Sequence, residues 1–147
     1  MSNSKGFTLI ELLVVLIILG IASAMVFLAV GKGMLGARDR GLLKALSQRL
    51  TEARAMSVGQ GRPVYFLIYG EERAFGIEGR GRETIPEDVE VRGEGVEDYD
   101  EGVYAICFFP DGSSSGGAII LSMPDGKLYR FEIDKFFGAI RLEGGEG

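Results

Sequence analysis

The chain reads as α+β: a long N-terminal helix, membrane-like in its first half and amphipathic in its second, packed on a C-terminal antiparallel β-sheet domain. Three observations predict this. Residues 7–30 are an apolar run with a single charge, Glu11. From Leu35 to Met56 the apolar positions Leu35, Leu42, Leu46, Leu50, Ala53 and Met56 recur at spacings of three, four and seven, one face of a helix. From Pro63 onward, β-rich segments alternate with turn residues, most clearly at Pro124-Asp125-Gly126. One helical stretch followed by a run of strands is an α+β order.

Taken in order, the chain opens with a short polar leader, residues 1–6, ending Lys5-Gly6. Residues 7–30 would span about 36 Å as a helix, enough for a hydrocarbon core of roughly 30 Å. A charge inside such a stretch costs about 2.5–3.5 kcal/mol even on the lenient insertion scale, so Glu11 predicts a partner for its carboxylate. Residues 31–60 form the amphipathic half. Gly31, Gly33, Gly36 and Gly41 weaken its join to the first half, each by about 1 kcal/mol relative to alanine, and predict a loosened or kinked helix over 31–41. Gly59-Gln-Gly61 and Pro63 end it. Residues 61–147 form the β-rich domain. Strands are predicted at Pro63–Tyr69, Arg73–Glu78, Val103–Phe109, Gly117–Met123, Lys127–Asp134 and Phe137–Leu142, with a glycine-rich acidic connection before Gly102.

Charge is unevenly spread over the 147 residues, whose formal net charge is −5. Lys32, Arg38, Arg40, Lys44, Arg49, Arg54 and Arg62 face only Asp39 and Glu52 in the helix, whereas residues 84–104 are acidic apart from Arg92. A basic helix face and an acidic loop, both solvated, account for this; so do complementary surfaces between subunits of an assembly. The chain has no histidine, which removes the commonest general base and metal ligand. Its one cysteine, Cys107, forms no intramolecular disulfide and reads as a small buried residue.

The N-terminal run alone admits two ordinary readings: a single-pass anchor, or a cleaved export signal with Ala22-Ser23-Ala24 as its cleavage site. Against the second, the apolar stretch continues past that site to Val30. A third reading comes from resemblance. Lys5-Gly6 followed by Phe7-Thr-Leu-Ile-Glu11 and an apolar helix resembles the type IV prepilin signal: glycine before the cut, an aromatic first mature residue, glutamate fifth. The resemblance implies cleavage after Gly6 by a prepilin peptidase, N-methylation of Phe7, and retention of the helix. The Phe7 ammonium of one subunit could then meet the Glu11 carboxylate of a neighbour, a pairing that would fix axial register in a filament. The motif puts the C-terminal domain outside the cytoplasm, although Lys32, Arg38 and Arg40 run against the positive-inside rule.

Three patterns look chemical and fail their context. Gly112-Ser-Ser114-Ser-Gly116 fits a hydrolase nucleophile elbow, but it joins strand to strand and has no histidine to serve it. Gly31-Lys-Gly33-Met-Leu-Gly36 follows an apolar helix rather than a strand, so it is no dinucleotide fingerprint. The acidic stretch 94–101 offers oxygen ligands for Ca²⁺ without an EF-hand pattern. No catalytic residue, metal ligand, cofactor or small-molecule substrate is assigned.

The C-terminal third narrows the resemblance. The run Phe108-Phe-Pro110-Asp111-Gly112-Ser113-Ser114-Ser115-Gly116-Gly117, the strand after it, and the segments Tyr129–Asp134 and Gly138–Leu142 look like the GspH/FimT-type domain. So does Arg54-Ala-Met-Ser57 leading into strand 63–69. The loop itself can turn at Asp111-Gly112, be capped by its serines and re-enter the sheet at Gly116-Gly117, a role in folding or subunit contact. The resemblance implies the pilin architecture and a minor pseudopilin of type II secretion, component H. Such a subunit sits in the inner membrane with its domain in the periplasm, assembles with other major and minor pseudopilins, and supports export of folded proteins. The alternative is a minor type IV pilin for pilus assembly, adhesion, motility or DNA uptake. Arg141 alone in the last strand, Ala139 where DNA-binding relatives would be expected to place arginine, and the acidic tail from Glu143 argue against nucleic acid.

Overall fold

Helix α1 runs from Leu9 to Gln60. A computed structural model describes the backbone of residues 7–145 and the side chains of 7–23 and 36–145. The leader, with Gly6, and the side chains of 24–35 lie outside the described residues, so the predicted apolar span 7–30 is seen in part. The chain divides into two units, Met1–Arg40 and Gly41–Gly147.

The expected loosening over 31–41 does not break the helix: its backbone is helical throughout that stretch. Gly36 and Gly41 have open space where a Cβ would stand, so they are not demanded by packing. Their entropy cost is spread along a helix whose propagation, once nucleated, adds a bond per residue. Termination follows expectation. Gly61 adopts φ +65° and donates its N–H to the Ser57 carbonyl at 3.0 Å, the left-handed stop for which glycine is suited.

In the second unit the strands are all antiparallel and form two sheets rather than one. The first contains β1 (Val64–Tyr69), β2 (Ala74–Ile77), β3 (Arg82–Thr84), β5 (Glu97–Asp100) and β6 (Val103–Phe108), ordered β3-β2-β1-β6-β5. The second contains β4 (Glu90–Glu94), β7 (Gly117–Ser122), β8 (Leu128–Ile133) and β9 (Ile140–Gly144), ordered β4-β7-β8-β9. The connection expected before Gly102 therefore holds three strands. Each of the three is a sheet edge, where one side of the strand is solvated and charge discourages pairing with another chain, so its sequence lacks the apolar alternation of a central strand.

Leu42, Leu46, Leu50 and Ala53 of the helix meet Phe66 and Ile106 of the first sheet and Ile119 and Phe131 of the second in one buried core. Leu43 joins them, and Met56 packs at its margin. The period-two alternation decides which strand residues enter: Val64, Phe66 and Ile68 point to the helix, in register with Phe108, Ile106 and Tyr104 of β6. The turn at 124–126 forms as predicted, Gly126 taking φ +86° and donating to the Met123 carbonyl at 3.0 Å. The last strand is displaced from expectation. It starts at Ile140, and Phe136 and Phe137 lie in the preceding turn.

Candidate functional site

At the N-terminus, Thr8 caps α1. Its Oγ1 accepts the Glu11 N–H at 3.3 Å and its carbonyl accepts the same N–H at 3.1 Å. Thr8 and Glu11 thus occupy the N-cap and third positions of a capping box, with the carboxylate in the first turn, where the helix dipole favours it. Phe7 is 73% exposed, and Leu9, Ile10 and Leu12–Ile18 are exposed around it. A contiguous apolar surface of that size needs cover from lipid or from other chains. Among the described residues no helix is long and apolar enough to cross a membrane. Glu11 is the one ionisable side chain described between Phe7 and Ser23.

The loop 110–117 is built as a clasp over three elements. Asp111 accepts the Ser113 N–H at 2.9 Å and the Ser113 hydroxyl at 2.5 Å, bonds that hold its carboxyl below the usual carboxylate range. Pro110 and Asp111 are exposed, whereas Gly112, Ser114 and Gly116 are buried. Toward the helix, Arg54 donates Nε–H to the Gly112 carbonyl at 3.3 Å, and the buried Ser57 hydroxyl stands 2.8 Å from the Arg54 carbonyl and 3.1 Å from that of Phe109. Toward β6, Ser115 and Cys107 exchange bonds: Ser115 N–H to the Cys107 carbonyl at 2.8 Å, Cys107 N–H to Ser115 Oγ at 3.0 Å. Toward the β8–β9 turn, Ser114 donates its N–H to the Lys135 carbonyl at 2.9 Å and its hydroxyl to the Asp134 carbonyl at 2.8 Å.

Gly117 carries the loop into β7 at φ +116°, and a Cβ there would stand 2.9 Å from the Gly95 carbonyl oxygen. Only glycine fits that approach. Ser114, the serine of the apparent nucleophile elbow, is 2% exposed, and its Oγ also accepts the Gly116 N–H at 3.0 Å. Its hydroxyl donates to one backbone group and accepts from another, so it holds a turn.

The structure gives individual roles to Arg54, Ser57 and Asp134, which the sequence offered only as members of longer segments. Asp134 Oδ1 accepts the Phe136 and Phe137 N–H groups at 2.9 and 2.7 Å. An aspartate ahead of a glycine-terminated tetrapeptide is an Asx-turn signal, legible in principle; Phe137, read as the start of a strand, masked it.

Part of the uneven charge is settled inside the chain. Arg49 of the helix pairs with Glu83 of β3 at 2.6 Å and Glu52 at 2.9 Å, and Arg80 joins Glu52 at 2.8 Å. Hydrogen bonds donated by Arg49 to Glu83 and Glu52 push the Arg49 pKa up. The acidic stretch 94–101 is divided between the end of β4, β5 and the turn after it, with its carboxylates exposed, and among the described residues no group of three or more Cys, Asp or Glu is arranged to hold a metal ion.

Comparison with known proteins agrees at both ends of the chain. Residues 1–27 match the family model of the prokaryotic N-terminal methylation motif. Type II secretion system protein H of Xanthomonas campestris is 31% identical over 141 residues, covering 93% of this chain and 82% of the relative. Among solved structures, the minor pseudopilin EpsH from the Type 2 Secretion System of Vibrio cholerae superposes with a TM-score of 0.54 over 70% of this chain and 94% of that one. At 16% identity that likeness speaks to the fold alone. By its N-terminal motif and its relative along nearly the whole length, the chain belongs to the type II secretion system protein H family.

Proposed function

We propose that the chain is cut after Gly6, methylated on the new Phe7 amine, anchored in the inner membrane through residues 7–30 with its β domain in the periplasm, and assembled with other pseudopilins into the filament that supports export of folded proteins. The observation that carries this reading is Glu11, the one carboxylate on an exposed apolar helix surface, four residues from the amine that cleavage creates. In water the pair would be weak. In a helix bundle each charge is costly alone and tolerable with the other, so pairing selects one axial offset between neighbours. The clasp at 110–117 supports a structural role, since its polar groups are spent on holding backbone.

Mass spectrometry of the mature N-terminus tests the processing: N-methylated Phe7 is expected, whereas Met25 would mean ordinary signal cleavage and Met1 an uncut anchor. Deletion of the gene tests the assembly. Loss of exoprotein secretion with twitching intact is expected; lost twitching with normal secretion would move the subunit to a type IV pilus.

A further inference from the structure

The two sheets are joined differently at their two ends. Beyond the Val64–Phe108 end of the β1–β6 pair, the clasp ties them backbone to backbone. Phe108 bridges to Ser114, Cys107 and Ser115 exchange hydrogen bonds, and Gly117 leads into β7. Toward the Tyr69–Val103 end, the chain passes from β3 of the first sheet to β4 of the second through one short crossing, residues 85–89. A single side chain grips that crossing. Arg73, in the β1–β2 turn, donates from Nη2 to the Pro86 and Glu87 carbonyls at 2.9 and 3.0 Å, and to the Val89 carbonyl closer still. Three acceptors therefore share the two protons of one nitrogen. The Arg73 carbonyl in turn accepts the Ile85 N–H at 2.7 Å.

Three features make this grip costly to hold. Arg73 sits at φ +48°, the one positive φ outside glycine among the described residues, in a left-handed region that side chains rarely adopt. Its Nε is buried and has no hydrogen-bond partner. It makes no ion pair among the described residues, so its charge meets only carbonyl dipoles. Beneath the crossing, moreover, the sheets do not close on each other. A cavity of about 60 Å³ lies between Ile68 and Tyr104 of the first sheet and Val91 of the second, bordered also by Arg73, Ile85 and Val89. A smaller void of about 10 Å³ shares Ile68, Ile85 and Val91 with it and reaches Leu42 and Leu46 of the helix. Ile85 and Val89 are buried and form the crossing's own apolar hold on the core. Both also face the empty space, and atoms lining a void forfeit dispersion contacts on that side.

We propose that residues 85–89 are a strap, latched by Arg73, which opens the cavity between the sheets in a step of its own while the clasp stays shut. In the closed state one guanidinium nitrogen holds three carbonyls. In the open state those carbonyls and Nε reach water, and Arg73 leaves its left-handed backbone. Strained and incompletely satisfied contacts are exchanged for solvated ones, so the gap between the two states is narrower than for the rest of the domain. The clasp is the hinge, because its ties run from backbone to backbone and none crosses the cavity. This device is independent of the filament reading.

Residue-resolved hydrogen exchange of the purified full-length chain in detergent micelles tests it. The strap probes are the Ile85 and Val89 N–H groups, bonded to the Arg73 and Pro86 carbonyls; the clasp probes are the Ser114 and Ser115 N–H groups, bonded to the Lys135 and Cys107 carbonyls. After correction for intrinsic rates, the strap probes should exchange at least about tenfold faster than the clasp probes. Arg73→Lys keeps the charge but replaces a planar fork with a point donor, and should speed the strap about tenfold further while the clasp is unmoved. One common rate for strap and clasp in the wild type overturns the proposal. So does an Arg73→Lys variant that moves both sets equally or leaves the strap unmoved. If the lysine variant does not fold, Arg73→Gly takes its place, since glycine suits the positive φ. Faster strap exchange despite the relieved backbone supports the latch, and unchanged or slower exchange overturns it.

Discussion

At the residue scale Ser114 is a structural hydroxyl: it donates to the Asp134 carbonyl and accepts from the Gly116 N–H, both backbone groups inside the protein. Ser114→Ala leaves the Asp134 carbonyl and the Gly116 N–H without that partner in a buried site. The expected cost is about 1–3 kcal/mol, read as a fall in the thermal midpoint of the purified full-length chain. Cys107 makes a second residue-level prediction. It is 2% exposed, and burial raises its thiol pKa, partly opposed by a hydrogen bond with Tyr65. The folded chain thus keeps this proton to higher pH than the unfolded chain, so this group's effect on stability is absent below the ordinary thiol range and turns destabilising as pH rises through it. Maleimide labelling at pH 8 should be much slower in the native chain than in denaturant; equal rates would contradict the burial. Both residues were singled out in the sequence, but for Ser114 the absence of histidine and the strand-to-strand context argued only against chemistry, and its actual bonds join segments 20 residues apart.

Between elements, the helix binds the sheets in two ways that the sequence reveals unequally. Its apolar stripe was legible because periodicity is a local property: Leu42, Leu46, Leu50 and Ala53 are all in the core. The polar tie from Arg49 to Glu83 of β3 was not, because nothing near Arg49 in sequence announces a strand of Arg-Glu-Thr. That tie and its extension to Glu52 and Arg80 are partly exposed, so screening limits their worth. Arg49→Ala is expected to destabilise by about 0.2–1 kcal/mol in low salt, and denaturant melts should lose most of that difference at 1 M salt. β3, β4 and β5 escaped prediction for one physical reason: edge strands need charge more than they need apolar alternation. Phe137 misled in the opposite sense, since aromatic residues favour strands on average while an aspartate three positions earlier turned the chain.

At the scale of the whole molecule, the first unit exposes an apolar helix surface and the second presents a folded β domain, a division suited to a subunit buried in an assembly at one end and displayed at the other. Glu11→Ala separates the two. It removes the sole carboxylate described on the apolar helix without touching the core of the second unit, so the thermal midpoint of the β domain should stay put. Filament incorporation, measured by the fraction of chain recovered in sheared pseudopili, should fall; unchanged incorporation would leave Glu11 with a capping role alone. By itself the sequence determined the order helix-then-strands, the processing motif and the family, because each is written in contiguous residues with local periodicity or spacing. Only the tertiary structure decided that the strands make two sheets, that the serine loop is a clasp, and that Phe136 and Phe137 stand exposed on a turn held by Asp134. Those facts depend on carbonyls, edges and cations contributed by segments far apart in the chain, and no local pattern encodes which distant groups will meet.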